Sequence, residues 1–282
     1  MIKILHVISD KNIGGAGRLL LNLLAESNRK KFEISVVLPL RSLLSPRISK
    51  LGIKAIESDL SMRDLLKIIR EKKPDIVHTH AAAKARIAAR LCGIYTVNTR
   101  HCAEDCKKTS PLYKRIIVRA FDALFTDSTI ATADYVKKVL TAEGIPPQKS
   151  VVIINGSQPL KEFSDIEKAD VRRRLGCTEN DFIAGMIARM ELGKGQEYFI
   201  KAAEICKKKH INVKFFLVGD GSMANELKAM ASGLENVKFL GFLSDVTEIM
   251  NILDANVNCS YVSETSSLSL SEGMSVGAVP IV

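Results

Sequence analysis

The sequence predicts an α/β protein of two Rossmann-like, doubly wound domains, and three observations carry that prediction. Short β-branched runs alternate with longer amphipathic stretches from end to end, the pattern of repeated βα units around a parallel sheet. At 282 residues the chain is long enough for two cores, since one domain usually takes roughly 100–200 residues. The stretch N-G-S-Q-P-L-K-E-F-S-D, residues 155–165, has the Gly, Pro and Ser of a linker near mid-chain. The expected division is 1–160 and 161–282, with the two domains facing each other across a cleft.

The start, M-I-K-I-L-H-V-I-S, is too short and too polar-flanked for a signal peptide and reads as a first strand over 2–8. Further strands in this half are expected at 33–38, 53–57, 75–79, 94–98, 123–126 and 151–154, where β-branched residues cluster. Helical patterns lie between them at 17–28, 62–72, 82–91, 111–121 and 131–142, and an acceptor site is expected in the variable loops of residues 40–65 and 102–112. In the second half, strands are expected at 182–188, 213–218, 236–240, 256–259 and 279–282. Helices there fall at about 167–175, 196–209, 222–232, 245–252 and 267–277.

Composition is that of a globular protein, 46% hydrophobic and 26% charged. No apolar run approaches the ~18 residues that span a bilayer. Six cysteines, at 92, 102, 106, 177, 206 and 259, show no Cys-x-x-Cys spacing. Neither a zinc site nor a disulfide framework is indicated, and a reduced, cytoplasmic setting is expected. The charge is unevenly spread. Residues 1–160 hold 27 Lys and Arg against 14 Asp and Glu, and residues 161–282 hold 14 against 17. A cationic first half suits an anionic surface or acceptor, although solvated helix faces would give the same bias. With no recognised binding module and 5% aromatic residues, nucleic acid is not an expected partner.

Several constellations carry chemistry. Gly14 and Gly15 follow the first strand and open the first helix, where glycine admits either a phosphate or a tightly packed neighbour. Arg189 and Lys194, in R-M-E-L-G-K-G-Q, lie in a strand-to-helix loop where two cations would neutralise a diphosphate. Gly219-Asp220-Gly221 marks the next such turn. His78, His80 and His101 end adjacent strands; the His78–His80 spacing suits a metal, but no third histidine or carboxylate follows at a matching distance. No Asp-x-Asp occurs, and no bound metal is expected. Glu264 and Glu272 stand eight positions apart, one in a strand-to-helix loop and one on the helix that follows. Carboxylates there suit sugar hydroxyls, beside a helix N-terminus that suits phosphate. Residues 107–121 form a basic amphipathic stretch, fit either for anionic lipid or for an ordinary core-facing helix.

These segments resemble the family-4 retaining glycosyltransferases. The similarity runs through I-G-G-A-G-R, K-P-D-I-V-H-T-H, A-R-M-E-L-G-K-G-Q-E, V-G-D-G and E-T-S-S-L-S-L-S-E-G-M, in the family's order along the chain. The resemblance implies the two-domain GT-B architecture, no cofactor, and a nucleotide sugar, UDP- or GDP-linked, as donor substrate. It implies that Arg189 and Lys194 hold the diphosphate, Glu272 bonds the ribose, and Glu264 contacts the donor sugar near the reacting carbon. Gly14 and Gly15 would line the phosphate side, and His101 would face donor sugar and acceptor. The implied reaction transfers a hexose, with retention and without metal, to a surface-polysaccharide or lipid-linked acceptor, with peripheral contact at the inner face of the plasma membrane. Against the family pattern the second domain is expected to lack its last strand and helices. A truncated, non-catalytic sugar-nucleotide binder is therefore an alternative expectation, and an epimerase on the same architecture a third.

Overall fold

A computed structural model of the protein describes residues 1–11, 13–101, 112–261 and 267–282. The chain divides into two compact units, Met1–Gly156 and Ser157–Val282.

The first unit alternates strand and helix: β1 (Ile2–Ile8), α1 (Gly15–Ala25), β2 (Phe32–Pro39), α2 (Ser45–Lys50), β3 (Lys54–Ser58), α3 (Met62–Lys72) and β4 (Ile76–His80). It continues through α4 (Ala83–Leu91), β5 (Tyr95–Arg100), α5 (Leu112–Phe125), β6 (Ser128–Ala131), α6 (Asp134–Glu143) and β7 (Ser150–Val152). The seven strands are parallel, in the order β3-β2-β1-β4-β5-β6-β7. Strand alternation sorts the side chains between two faces. Leu5, Val7, Val37 and Val77 pack with Leu65, Ile69, Ala85 and Ala88 of α3 and α4. Ile8, Val36 and Leu38 pack with Leu20 and Leu24 of α1. Helices therefore cover both faces, which is why the strands read as continuous apolar runs.

Two expectations for this unit are corrected. Residues 123–126 are the last turn of α5 and the start of the following turn; the strand begins at Ser128. F-D-A-L-F is apolar enough for a strand, but its Asp122 and Phe121 meet Arg86 of α4 on one helical face. Asp127 then closes the helix by accepting from the Thr96 amide at 2.8 Å. Within 40–65, Ser45–Lys50 is helical rather than loop, with Pro46 at its start and Ile48 buried in the core.

The second unit contains α7 (Asp165–Arg174), β8 (Phe182–Ile187), α8 (Gln196–Lys208), β9 (Val213–Val218), α9 (Ala224–Met230) and β10 (Val237–Gly241). It ends with α10 (Thr247–Ile252), β11 (Ala255–Val257), α11 (Leu268–Met274) and β12 (Val279–Ile281). Its sheet is also parallel, in the order β10-β9-β8-β11-β12. Ala184, Met186, Phe215 and Leu217 face α8 and α9, while Ile183, Phe216 and Val218 face α10. Ser164 and Glu167 cap α7 reciprocally. Arg172 from that helix reaches Asp254 Oδ2 at 3.2 Å, and the same oxygen accepts from the Ile183 amide at 2.7 Å. No helix among the described residues is long and apolar enough to cross a membrane.

In each sheet the strand order reverses beside the first strand, between β1 and β4 and between β8 and β11. Connections leave in opposite directions there, so the carboxyl ends of those strand pairs are the natural binding positions.

The Arg86–Asp122 pair tests the packing of the first unit. Both side chains are largely buried, and Arg86 also donates to Thr126 Oγ1 at 3.1 Å. Asp122→Ala should cost about 3–5 kcal/mol by leaving a buried cation unpaired. The double substitution Arg86→Met/Asp122→Leu should recover most of that loss, with urea denaturation as the measurement.

Candidate functional site

In the first unit, the loop after β1 reaches α1 through Gly14 and Gly15. Gly14 is the N-cap of the helix with φ −86°, and no acidic residue sits in the helix's first turn. A Cβ added at Gly14 would lie 3.2 Å from Asp10 Oδ2, and one at Gly15 would meet nothing within 4 Å. Neither residue occupies the left-handed region. Packing inside the unit therefore gives no reason for glycine at position 15. A helix N-terminus with glycine at this position is open to close approach of an anion.

Beside that loop lies a histidine file that the sequence reading recovered only in part. His78 and His80 were expected to lack a third partner, but His6 of β1 joins them. The register sets His6 opposite His78 and Ile8 opposite His80, so all three imidazoles share one sheet face. His6, His78 and His80 are 3%, 8% and 2% exposed. His6 Nδ1 is 3.3 Å from His80 Nε2, and His80 Nδ1 is 2.9 Å from His101 Nε2. His78 Nε2 is 2.7 Å from Thr99 Oγ1. The signal was present: a doubly wound sheet places β1 next to β4, and the even-numbered positions His6, His78 and His80 fall on one face.

Burial holds these rings neutral. His78 is lowered to about 4 by burial and then by the charge of His101. His101 is lowered to about 4 by burial. His6 lies well below the usual imidazole value through burial and then His78, and His80 through burial and then its three neighbours. As a metal set, the ligand atoms of His6, His78 and His80 span an envelope of 4.8 Å. Two nitrogens at about 2.1 Å from a common zinc can be no more than about 4.2 Å apart. The cluster is wider than a formed zinc site; His6 Nδ1 already bonds His80 Nε2, and His78 Nε2 already bonds Thr99 Oγ1.

In the second unit, three glycines seat the loops at the switch point. Added Cβ atoms at Gly195, Gly219 and Gly221 would fall 2.0 Å from Cys259 O, 2.0 Å from Ala188 O and 2.3 Å from Met190 O. These turns therefore pack backbone on backbone. The Met190 amide donates to Asp220 O at 2.9 Å, and the Tyr261 amide donates to Gly193 O at 3.1 Å. That second bond ties the loop after β8 to the segment after β11. Arg189 and Lys194 lie in this loop, Arg189 exposed and Lys194 half-buried. Buried Gln196 donates to the Arg189 carbonyl at 2.7 Å, a fixing contact that sequence reasoning missed.

Glu272 lies half-buried on α11, which is capped by Ser267, whose hydroxyl accepts from the Leu270 amide at 3.4 Å. The helix is set on its strand by Gly273, where an added Cβ would come within 2.6 Å of Asn256 Nδ2, and by that amide's bond to Ser269 O at 2.8 Å. Glu264 lies outside the described residues. The structure thus gathers Arg189, Lys194 and Gln196 on one loop, with Gly14 and Gly15 near the histidine file in the other unit. Together these are two anion-ready edges, one of them cationic.

Residues 13–158 match the model of a family described as Glycosyltransferase Family 4, and residues 167–282 match one described as Glycosyl transferases group 1. EpsD of Bacillus subtilis, described as a glycosyltransferase, is 31% identical over 75% of this chain, which spans 59% of that relative's length. The UDP-Gal:alpha-D-GlcNAc-diphosphoundecaprenol alpha-1,3-galactosyltransferase of Escherichia coli is 29% identical, over 100% of this chain and 79% of its own. The structure of Anabaena HepE in complex with UDP-glucose superposes with a TM-score of 0.85 at 23% identity, covering 100% of this chain and 80% of that one. That likeness shows the fold: two parallel-sheet Rossmann-like domains of GT-B type.

The neutral histidines make the stability of the first unit pH-dependent. An unfolded histidine titrates near 6.5, whereas folded His78 and His101 titrate at about 4. Between those values the unfolded chain binds protons that the folded chain does not. Stability should therefore be full above pH ~6.5 and fall toward pH ~4, by about 1.4 kcal/mol per pH unit for each ring. Thermal melts from pH 7.5 to 4.5 should show the decline, and His78→Gln should reduce its slope.

Proposed function

The chain belongs to glycosyltransferase family 4, and from that premise we propose that it moves a hexose from a UDP-linked donor to a lipid-linked or surface-polysaccharide acceptor. The transfer retains anomeric configuration and uses no metal. The observation that carries the reading is the loop after β8. It places Arg189 and Lys194 at a topological switch point, held by glycine backbone contacts and by Gln196.

Breaking the bond between the anomeric carbon and the diphosphate leaves positive charge on the ring and negative charge on the leaving group. Fixed cations stabilise the second without reorganising as the bond breaks. Arg189 and Lys194 take that role, and Glu272 accepts from the ribose hydroxyls. Glu264 contacts the sugar near the reacting carbon, and His101 meets donor and acceptor hydroxyls. Gly14 and Gly15 allow the diphosphate to approach the first-turn amides of α1. The UDP donor is supported by HepE, solved with UDP-glucose, and by the E. coli relative, named for UDP-Gal and a diphosphoundecaprenol acceptor.

A lipid-linked acceptor requires the enzyme to work at a membrane surface. On α5, Tyr113, Ile116, Ile117 and Leu124 form a stripe along one side of the helix, each 59–62% exposed. The segment 107–121 is basic in sequence, and residues 1–160 carry the chain's excess positive charge. An apolar stripe in a cationic setting fits an anionic lipid surface on the cytoplasmic side.

Isothermal titration with UDP, GDP and ADP tests the donor site. UDP should bind, and Arg189→Ala/Lys194→Ala should weaken it at least about tenfold, since hydrogen bonds to charged groups contribute about 1.5–3 kcal/mol each. Equal affinity in the folded variant would remove the diphosphate from this loop, and UDP binding without turnover of UDP-hexoses would favour a binding protein. For the membrane, the wild type should co-sediment with phosphatidylglycerol vesicles. Ile116→Gln/Ile117→Gln should lose about tenfold or more in partitioning, given roughly 1.5–3 kcal/mol for each fully buried aliphatic side chain. Unchanged partitioning would exclude α5 as the contact.

A further inference from the structure

We infer that His6, His80 and His101 form a hydrogen-bonded imidazole relay in which His80 is a positioning residue that fixes the tautomer of His101. The geometry is a file of three rings. His6 and His80 stack with centroids 5.6 Å apart at 21°, and His80 and His101 at 5.2 Å and 24°. The linking atoms alternate: His6 Nδ1 to His80 Nε2 at 3.3 Å, then His80 Nδ1 to His101 Nε2 at 2.9 Å. His80 thus uses both of its nitrogens within the file.

A neutral imidazole carries one N–H and one lone pair, on opposite sides of the ring. Each of the two contacts needs one donor and one acceptor, so only two proton orders satisfy both. In the first, His6 Nδ1–H donates to His80 Nε2, His80 Nδ1–H donates to His101 Nε2, and the proton of His101 lies on Nδ1. In the second, His101 Nε2–H donates to His80 Nδ1, His80 Nε2–H donates to His6 Nδ1, and the proton of His6 lies on Nε2. No ring can change tautomer alone without leaving two hydrogens, or two lone pairs, facing each other. In a site this buried such a mismatch is costly. The depressed proton affinities of all three rings exclude the easier escape, in which one ring takes a second proton near neutral pH.

Whether His101 Nδ1 is a donor or an acceptor is therefore decided two rings away, at His6, with no charge crossing the sheet. His78 stands apart from the file. Its Nε2 is taken by Thr99 Oγ1 at 2.7 Å, and it meets His6 and His80 only through tilted ring contacts. The catalytic consequence of the relay rests on the proposed role of His101, but the tautomer coupling does not.

The test is long-range proton–nitrogen correlation NMR on the full chain with 15N-labelled histidine at pH 7.5, each ring assigned by single substitution. His101 should show one dominant tautomer in the wild type. His80→Gln, which keeps a polar group toward His6 but none toward His101, should redistribute it. His6→Phe, which does not touch His101, should do the same, whereas His78→Gln should leave it unchanged. An unaltered His101 tautomer in folded His80→Gln and His6→Phe would overturn the relay. A saturable shift of the His6, His78 and His80 signals on adding zinc chloride would overturn it in favour of a metal site. With UDP-hexose as donor, His80→Gln should lower kcat at least about tenfold with little change in KM. A redistributed tautomer with unchanged kcat would keep the relay and remove His101 from the chemistry.

Discussion

Parallel pairing between the first strand and the strand that restarts the sheet in the other direction governs both units. In the first unit this is β1 against β4, and in the second β8 against β11. Because every strand runs the same way, all the loops that follow strands emerge on one edge. Because the order reverses at that pair, the neighbouring connections diverge and leave room for a ligand. The anion-ready start of α1, the histidine file and the Arg189–Lys194 loop all lie at such a position. Moving the pairing by one residue would turn His6 and His80 to opposite faces and dismantle the file.

Given that frame, the second unit builds precision from the absence of side chains. Three carbonyls, on Ala188, Met190 and Cys259, occupy the space that a Cβ would need at Gly219, Gly221 and Gly195. The loops are therefore packed backbone on backbone, and the Gln196 side chain adds a bond to the Arg189 carbonyl. The first unit builds precision from buried polar side chains instead. His80 has both nitrogens satisfied by other histidines, so its ring is held from two sides.

Most of the fold was legible because βα alternation is a strong periodic signal, and the strands at 2–8 and 213–218 coincide with β1 and β9. Legibility failed where tertiary contact overrode local preference. Residues 123–125 continue the helix whose Phe121 and Asp122 meet Arg86, and nothing within F-D-A-L-F announces Arg86. In the site, the glycines and the two cations were visible as local motifs. His6 was not, because its meaning depends on which strand lies beside β1, and a single sequence conveys that only after the topology has been worked out. Gln196 stayed hidden for a related reason: its bond to the Arg189 carbonyl involves backbone that sequence does not display.

The proposed transfer would make unequal electrostatic demands on the residues assigned to the leaving diphosphate and on those assigned to the sugar ring. Charge leaving with the diphosphate is negative, and the second unit offers Arg189 and Lys194. Charge developing on the sugar ring is positive, so a cation near it would oppose the reaction. At about 4 Å and an effective dielectric constant near 20, an ionised imidazole would cost about 4 kcal/mol. That is close to a thousandfold in rate, at 1.36 kcal/mol for each factor of ten. Histidine is nevertheless useful beside a sugar, because its ring can bond hydroxyls as donor or acceptor. Under the role proposed for His101, the file would reconcile these requirements. Burial keeps His101 titrating at about 4, uncharged at neutral pH, while its hydrogen bond with His80 ties the tautomer of that neutral ring to those of His80 and His6. A serine or asparagine could be neutral without such a partner, but neither would have its proton placed by a residue two rings away.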